Sequence, residues 1–359
     1  MFSQKLIKQN YHVIGVMSGT SLDGIDLAEV TFSISKKGEW SYKFGKAETV
    51  PYHESLKQEL QDAILFSEKA LNKLNIRYTR HISEVISAFV DKFKIESIDA
   101  VCSHGHTILH QPDSGVTLQI GNLPEIAALI GQRVVCDFRV KDVQLGGQGA
   151  PLVPIGDKLI FKDFDYCLNL GGFANVSLDN NGKRVAYDIC PVNIVLNSYA
   201  NLLGFPYDDN GNIARGGTVI IEILESLNQL PFYKKSPPKS LGLEWVKENI
   251  FPVLEASNTT KKNKIATFTA HIANQIAHQF KTNSKVLVTG GGAYNTFLLE
   301  EIKRINPVEL VVPESQLLEF KEALIFGLLG VLRLRGEINC LQSVTGASVD
   351  CSGGNIFEI

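Results

Sequence analysis

Short apolar runs interrupted by glycine-rich polar turns dominate the start of the chain. "HVIGVM" and "LAEVTFSI" read as strands, and the stretch Gly15–Asp26, "GVMSGTSLDGID", sets three glycines, two serines, one threonine and two aspartates at their junction. Two strands closing over a polar turn predict a hairpin rather than a βαβ crossover. "WSYKFGKAETVPY" supplies a third strand, and helical periodicity then covers 54–74 and 80–93. Short strands are expected at "IDAVCSH", "VTLQIG" and "RVVCDF", with a helix over 123–130 between the last two.

The opening theme returns further along. "DYCLNLGGFANVSLD" is again an apolar run, a Gly-Gly turn and a second strand, with "KRVAYDI" as the third. Helical patterns follow at 192–203, 220–228 and 265–281, and the apolar strand in "KVLVTGGGAYN" runs into three more glycines before another helix. Two copies of strand-turn-strand predict two related α/β lobes. The expected division is 1–136 with 340–359 for the N-terminal lobe and 137–339 for the C-terminal lobe. "KKSPPKS" (234–240) reads as a surface loop.

With 359 residues and an apolar fraction of 44%, the chain is long enough for two packed domains. Its net charge of −3, without any basic run, argues against a nucleic-acid partner. The longest apolar run, "ALIFGLLGVL" (323–332), is about half of a bilayer span and predicts a buried helix, not a membrane anchor. No apolar leader stands near the N-terminus, so a cytoplasmic protein is expected. Six cysteines lack CxxC spacing and read as buried free thiols. Oligomeric state is left open, a homodimer included.

Three glycine turns carry the chemistry. Bare backbone N–H groups with hydroxyls among them suit phosphate oxygens. The candidate contacts are Gly15, Ser18, Gly19, Thr20, Ser21, Asp23 and Gly24 in the first turn, Gly171, Gly172 and Asn175 in the second, and Gly290, Gly291, Gly292 and Asn295 in the third. The first lacks the lysine of a P-loop, and the third lacks the dinucleotide-binding spacing. Each alone reads equally as a tight turn. Together, each after an apolar strand, they point to a nucleotide phosphate chain held between lobes. The histidines of "SHGHTILHQ" (His104, His106, His110) have no carboxylate or cysteine at matching spacing, so they do not read as a metal site. His271 and His278 share a helix face and read as packing or solvated residues.

"GVMSGTSLDGID", "DFRVKDVQLGGQGAPLVP", "LNLGGFANVS", "GGGAYN", "KEAL" and "SVTGA" resemble, in order and over nearly the whole chain, the signatures of the anhydro-N-acetylmuramic acid kinases. That resemblance implies an actin-like ATPase fold, a duplicated ribonuclease H-like α/β architecture of two lobes with a nucleotide cleft between them. It implies ATP and Mg²⁺, with Gly15–Asp26 as the first phosphate hairpin and the third glycine turn holding adenosine. The implied reaction hydrolyses the 1,6-anhydro bond of the sugar and phosphorylates the O6 so released, in peptidoglycan recycling. Asp188, in "YDICPVN", stands where the family has "DTGPGN" and is the implied general base. Thr107 and Glu322 match sugar-contacting positions, and Arg139 in "DFR" suits, by the chemistry of its guanidinium, the lactyl carboxylate or a ring hydroxyl of such a sugar. Asp23 and Asp26 read as the Mg²⁺ carboxylates, acting through water, because magnesium prefers carboxylate oxygens and retained waters.

The residues themselves allow blander roles. Asp188 would serve as an N-cap for the helix in "PVNIVLNSYA", and Asp23 would close an Asx-turn before Gly24. The chain also departs from the family pattern. Ile189, Cys190 and Val192 replace the usual Thr, Gly and Gly, and His106 replaces Gln. Two other readings therefore stay open: a kinase of another amino or anhydro sugar, and a catalytically silent sensor binding ATP and muropeptides. Cys190, next but one to the implied base, is expected to react with thiol reagents if it is exposed.

Overall fold

A computed structural model describes residues 8–19 and 22–359. By contact density it comprises two compact units, Met1–Ile160 with Phe320–Ile359, and Phe161–Glu319.

In the first unit β1 (Asn10–Ser18), β2 (Gly24–Ile34) and β3 (Trp40–Pro51) form an antiparallel meander. Parallel to β1 on its other side runs β4 (Ala100–Gln111), followed by β6 (Val134–Cys136); β12 (Asn355–Phe357) closes the edge antiparallel to β6, and β5 (Val116–Ile120) hangs on β4. In the second unit β7 (Tyr166–Leu170), β8 (Phe173–Asn180) and β9 (Lys183–Pro191) repeat the meander, and β10 (Lys285–Thr289) and β11 (Glu309–Val311) repeat the parallel strands. The order β3-β2-β1-β4-β6 in one sheet equals β9-β8-β7-β10-β11 in the other. This is a duplicated ribonuclease H-like α/β fold: the sequence repeat predicts the two related lobes, and the family resemblance the ribonuclease H-like architecture.

Alternation along β1 assigns the two faces of the first sheet. Ile14 and Val16 share a core with Leu74, Tyr78, Ile82 and Ile86 of α2 (Glu68–Phe93). Gly15 faces the other way, where the helix Ser315–Arg335 lies so close that a Cβ would sit 1.9 Å from Ala323 O. The apolar run 323–332 is thus a buried helix of the first unit. Helix–strand packing of this kind moves the boundaries away from the expected ones. Residues 137–160 and 320–339 belong with the first sheet, and the division falls at Phe320, where the helix backbone departs to φ −106°, ψ 16°.

The helical stretch before β4 is also divided differently. After α1 (Glu54–Asp62) the chain leaves the helix near Phe66, and Ser67 caps α2 by accepting the Ala70 N–H. No break occurs over 75–79, because Tyr78 continues the buried stripe from Leu71 and Leu74 to Ile82.

Candidate functional site

In the first unit the expected contacts gather where β1, β4 and β6 end. The β1–β4 register shifts so that Val16 pairs with Ser103 but Ser18 pairs with His106, one extra residue on β4. Gly105 absorbs it at φ +71°, where a Cβ would meet Ile120 O at 2.5 Å. The bulge sends its two flanking histidines to opposite faces of the sheet. His104 goes to the face of the helix Ser315–Arg335 and stacks near Phe326, with ring centroids 4.6 Å apart. His106 turns toward α2 and contacts Tyr78.

On the first of these faces, Arg139 donates Nε–H to His104 Nε2 at 2.9 Å and Nη1–H to Gly149 O at 2.7 Å. His104 Nδ1 lies 2.9 Å from Gly105 O, so Nδ1 carries the proton and Nε2 is free to accept. Burial, and then the Arg139 charge, push the His104 pKa well below its usual value, which keeps the ring neutral. The guanidinium is therefore held on two sides by neutral acceptors, and its Nη2 edge has no partner among the described residues. A fork held this way is suited to an incoming carboxylate. Glu322 is reached by solvent yet surrounded by protein; that desolvation raises its carboxyl pKa, Arg139 opposes the shift and Asp26 adds to it.

The first turn is only partly as expected. Thr20 and Ser21 lie outside the described residues. Gly19 O accepts the Leu22 N–H, and Leu22 takes φ +59°. Asp23 is exposed, and among the described residues its side chain makes no hydrogen bond, so no Asx-turn forms there. Asp26 accepts from Thr49 Oγ1 at 2.6 Å. Ser18 must be corrected as a hydroxyl contact. Its side chain points inward, 1% exposed, accepting from Tyr78 OH at 2.9 Å and lying 2.8 Å from His106 Nδ1 and beside Tyr52 OH. Thr107 Oγ1, half-buried on β4, accepts from Gln119 Nε2 at 3.3 Å.

In the second unit the other two turns lie side by side at the ends of the parallel neighbours β7 and β10, the place where open α/β sheets collect ligands. A Cβ on Gly290 or Gly292 would come within 2.8 Å of Leu170 atoms. Asn295 caps the helix Thr296–Ile305 through Oδ1, which accepts the Leu298 N–H at 3.0 Å; its carbonyl oxygen is taken by the fold.

Asp188 sits on β9 next to a second bulge, where Ala174 pairs with Cys190 but Asn175 pairs with Asp188. Asn175 is thereby placed beside it. Asp188 does not cap a helix, since the residue preceding the helix Asn193–Asn201 is Val192 and makes no side-chain cap. Instead Asp188 Oδ2 accepts the Leu241 N–H at 2.8 Å, and its backbone N–H donates to Lys239 O at 3.1 Å. The end of the expected surface loop 234–240 is thus pinned to the strand that carries the acid. Burial raises the Asp188 pKa, and the Leu241 bond opposes this; Oδ1 has no hydrogen bond among the described residues. Ile189, Cys190 and Val192 are all buried in the second core. Cys190 is fully buried with its thiol pKa pushed up, so it offers no reactive thiolate.

Glycines without an internal cause are the clearest sign of a ligand. Gly15 and Gly24 are glycine because Ala323 O and Val50 O would lie 1.9 and 2.4 Å from a Cβ; packing, not a phosphate, accounts for them. Gly290 needs its φ of +83°. Gly171 and Gly172 would meet nothing nearer than 3.4 and 3.9 Å, and Gly291 nothing within 4 Å. None of these three adopts a positive φ. Bare backbone that the fold does not require suits close approach by an outside group.

Together these features define a duplicated ribonuclease H-like protein with glycine turns that its own packing does not require and separate carboxylate and guanidinium groups at its strand ends. The sequence profile of the family "Anhydro-N-acetylmuramic acid kinase" matches residues 11–359. Proteins of that name from Bacillus thuringiensis subsp. konkukian (strain 97-27) and Bacillus anthracis are each 33% identical over 379 aligned residues, covering 96% of this chain and 98% of each relative. This chain belongs to the anhydro-N-acetylmuramic acid kinase family. Among solved structures, the activator of the 2-hydroxyisocaproyl-CoA dehydratase from Clostridium difficile with bound ADPNP aligns over 90% of this chain and 96% of its own, at TM-score 0.43 and 14% identity, a remote likeness.

Proposed function

We propose that this chain is an ATP-dependent kinase of 1,6-anhydro-N-acetylmuramic acid that opens the anhydro ring with water and phosphorylates O6, giving N-acetylmuramic acid 6-phosphate for peptidoglycan recycling. The observation that carries this reading is Asp188. It is a partly buried carboxylate on β9 with one oxygen held by Leu241 N–H and the other without a hydrogen bond among the described residues, in the same unit as glycines that the fold itself does not need. Burial of Ile189, Cys190 and Val192 in the core supports an intact acid rather than a silent sensor.

An inverting glycosidase uses one carboxylate as base on water and a second carboxyl as acid on the leaving oxygen. Here one suffices. Asp188 Oδ1 takes a proton from the water that attacks C1, the C1–O6 bond breaks, and O6 attacks the γ-phosphorus of ATP as ADP leaves. Arg139 receives the lactyl carboxylate on its open edge, and Thr107 and Glu322 orient the sugar. Gly171, Gly172 and Gly291 offer backbone to the nucleotide. Asp23 and Asp26 fit Mg²⁺, which commonly takes one or two carboxylates and retains waters. When bound it would offset phosphate charge. We place the reaction in the cytoplasm, where ATP is available and where six free thiols persist.

The test is the reaction in H₂¹⁸O with the anhydro sugar and ATP. Label should enter at C1 and not in the transferred phosphate. Asp188→Asn should lower the rate about 10²- to 10⁴-fold, the usual cost of losing a general base. Label in phosphate would mean plain ATP hydrolysis, and a fully active Asn variant would remove Asp188 from the chemistry.

A further inference from the structure

Cys340 and Cys351 face each other across an isolated antiparallel bridge closed by both backbone hydrogen bonds, Cys340 N–H to Cys351 O at 3.0 Å and Cys351 N–H to Cys340 O at 3.1 Å. Directly opposed residues of such a pair project their side chains to the same face. Asp142, from the short helix Val140–Gln144, meets them there. The two sulfurs and a carboxylate oxygen all lie within 4.8 Å of one another, and all three residues are buried. Sequence spacing hides this group, because Asp142 is far from both cysteines along the chain.

The carboxylate supplies a second, independent observation. Asp142 is 0% exposed, and its partners are Thr345 Oγ1–H at 2.7 Å and Gly149 N–H at 2.8 Å, both neutral. No lysine or arginine forms an ion pair with it among the described residues. Buried carboxylates are ordinarily paired with a cation or ligate one.

We propose that Asp142, Cys340 and Cys351 form a binding site for a thiophilic divalent cation of the zinc type. Two sulfurs and one carboxylate oxygen match the ligands of zinc and not the all-oxygen shells of magnesium or calcium. Each carboxylate oxygen accepts one hydrogen bond and retains a lone pair, the outer-shell pattern that orients metal-ligating carboxylates. On binding, both thiols release their protons to solvent, and the ion offsets two of the three negative charges so gathered. Three protein ligands leave the fourth tetrahedral position to water. The site would brace the segment carrying Thr345, whose carbonyl accepts the Gln148 N–H, next to Gly149, whose carbonyl holds Arg139. The proposal does not depend on the kinase reading.

Full-length protein expressed with added Zn²⁺ and freed of loose metal by gel filtration should retain about one Zn²⁺ per chain. Loaded instead with Co²⁺, it should show thiolate-to-cobalt charge transfer with tetrahedral ligand-field bands. Cys351→Ala and the Cys340→Ser/Cys351→Ser pair should lose the bound metal and the charge-transfer band, whereas Cys167→Ala, in the other unit, should keep both. Zn²⁺ should raise the melting temperature of the wild type alone. Should the double variant fail to fold, the single alanine variant and chelator titration of the wild type still decide. The proposal is overturned if the wild type retains no more metal than the variants, if its cobalt spectrum lacks the sulfur band, or if its intact mass is lighter by two hydrogens, which would make the pair a disulfide.

Discussion

Asp188 is asked to be a base in a place where being charged is disfavoured, and its burial and one hydrogen bond decide how far. Burial raises its pKa from the ordinary 3.8 and the Leu241 N–H holds it back. For activity this puts the acid limb of the pH profile above that of a solvated aspartate. For stability the sign is the reverse of the usual carboxylate. A raised folded pKa means that Asp188 stabilises the fold only where it is protonated, and that contribution is lost as pH rises through the folded value. Asp188→Asn keeps an oxygen acceptor for Leu241 N–H without a charge, so we expect its melting temperature to match or exceed the wild type at pH 7 while turnover collapses. A variant both inactive and clearly less stable at pH 7 would show that the carboxylate holds the fold. Arg139 gives the complementary case. His104→Leu removes the acceptor for Arg139 Nε–H, a bond to a charged group worth about 1.5–3 kcal/mol, so KM for the anhydro sugar should rise roughly 10- to 100-fold with a smaller change in kcat. The loss should be confined to the acid-bearing sugar. His104→Gln, whose amide oxygen can accept, should restore part of it, and an equal loss for the lactyl carboxamide would assign His104 a merely structural role.

At the scale of elements, the glycine turns separate by what a methyl group would strike. Gly291→Ala meets open space at an ordinary backbone angle, so stability should change by less than about 1 kcal/mol while the KM for ATP rises. Gly15→Ala drives a Cβ to 1.9 Å from Ala323 O and should destabilise by about 3 kcal/mol or more. Thermal melting beside ATP titration distinguishes them; a Gly291 variant with unchanged ATP affinity would remove that turn from the nucleotide site. The same contrast explains what the sequence could tell. Strand-turn-strand repeats, the free cysteines and the third glycine turn were legible because period and composition encode them locally. Whether Gly15 serves a ligand or a helix 300 residues away was not, since a glycine looks the same in either role. Ser18 faces inward because strand alternation puts it beneath α2, and Asp188 escapes the helix-cap role because β9 runs on past it to Pro191 and leaves Val192 before the helix. The lobe boundary was misplaced for a similar reason. Residues 137–160 follow the last parallel strand of the first sheet in sequence, but they stay packed within the unit that sheet belongs to.

Over the whole molecule, buried neutral histidines should make the fold sensitive to acid. His106 is held down to about 4 by burial beside Ser18, and His271 to about 3 by burial between Asn228 and Tyr233. His104 is lowered well below its usual value by burial and Arg139. In each case the folded pKa lies below the unfolded one, so the stabilisation is complete above about pH 6.5 and is lost as pH falls toward the folded value. His104 and His106 both belong to the first unit, where burial also lowers the pKa of His81 and His110; the two buried rings alone should cost that unit about 3 kcal/mol per pH unit below that point, against about 1.4 for the second, where His271 acts alone. Desolvated carboxyls oppose the trend, because Asp137, Asp188, Asp208 and Glu322 all have raised pKa values and favour the fold as they protonate. That opposition begins only as the pH comes down to those raised values, so the histidines should govern the first part of the descent. Urea midpoints followed from pH 7 to pH 5 should therefore fall, the first unit more steeply than the second. His106→Gln, which keeps a polar partner for the Ser18 contact and does not titrate, should flatten the first slope by about one proton. A midpoint constant from pH 7 to pH 5, or a slope unchanged in that variant, would show that His106 is not held neutral in the folded chain.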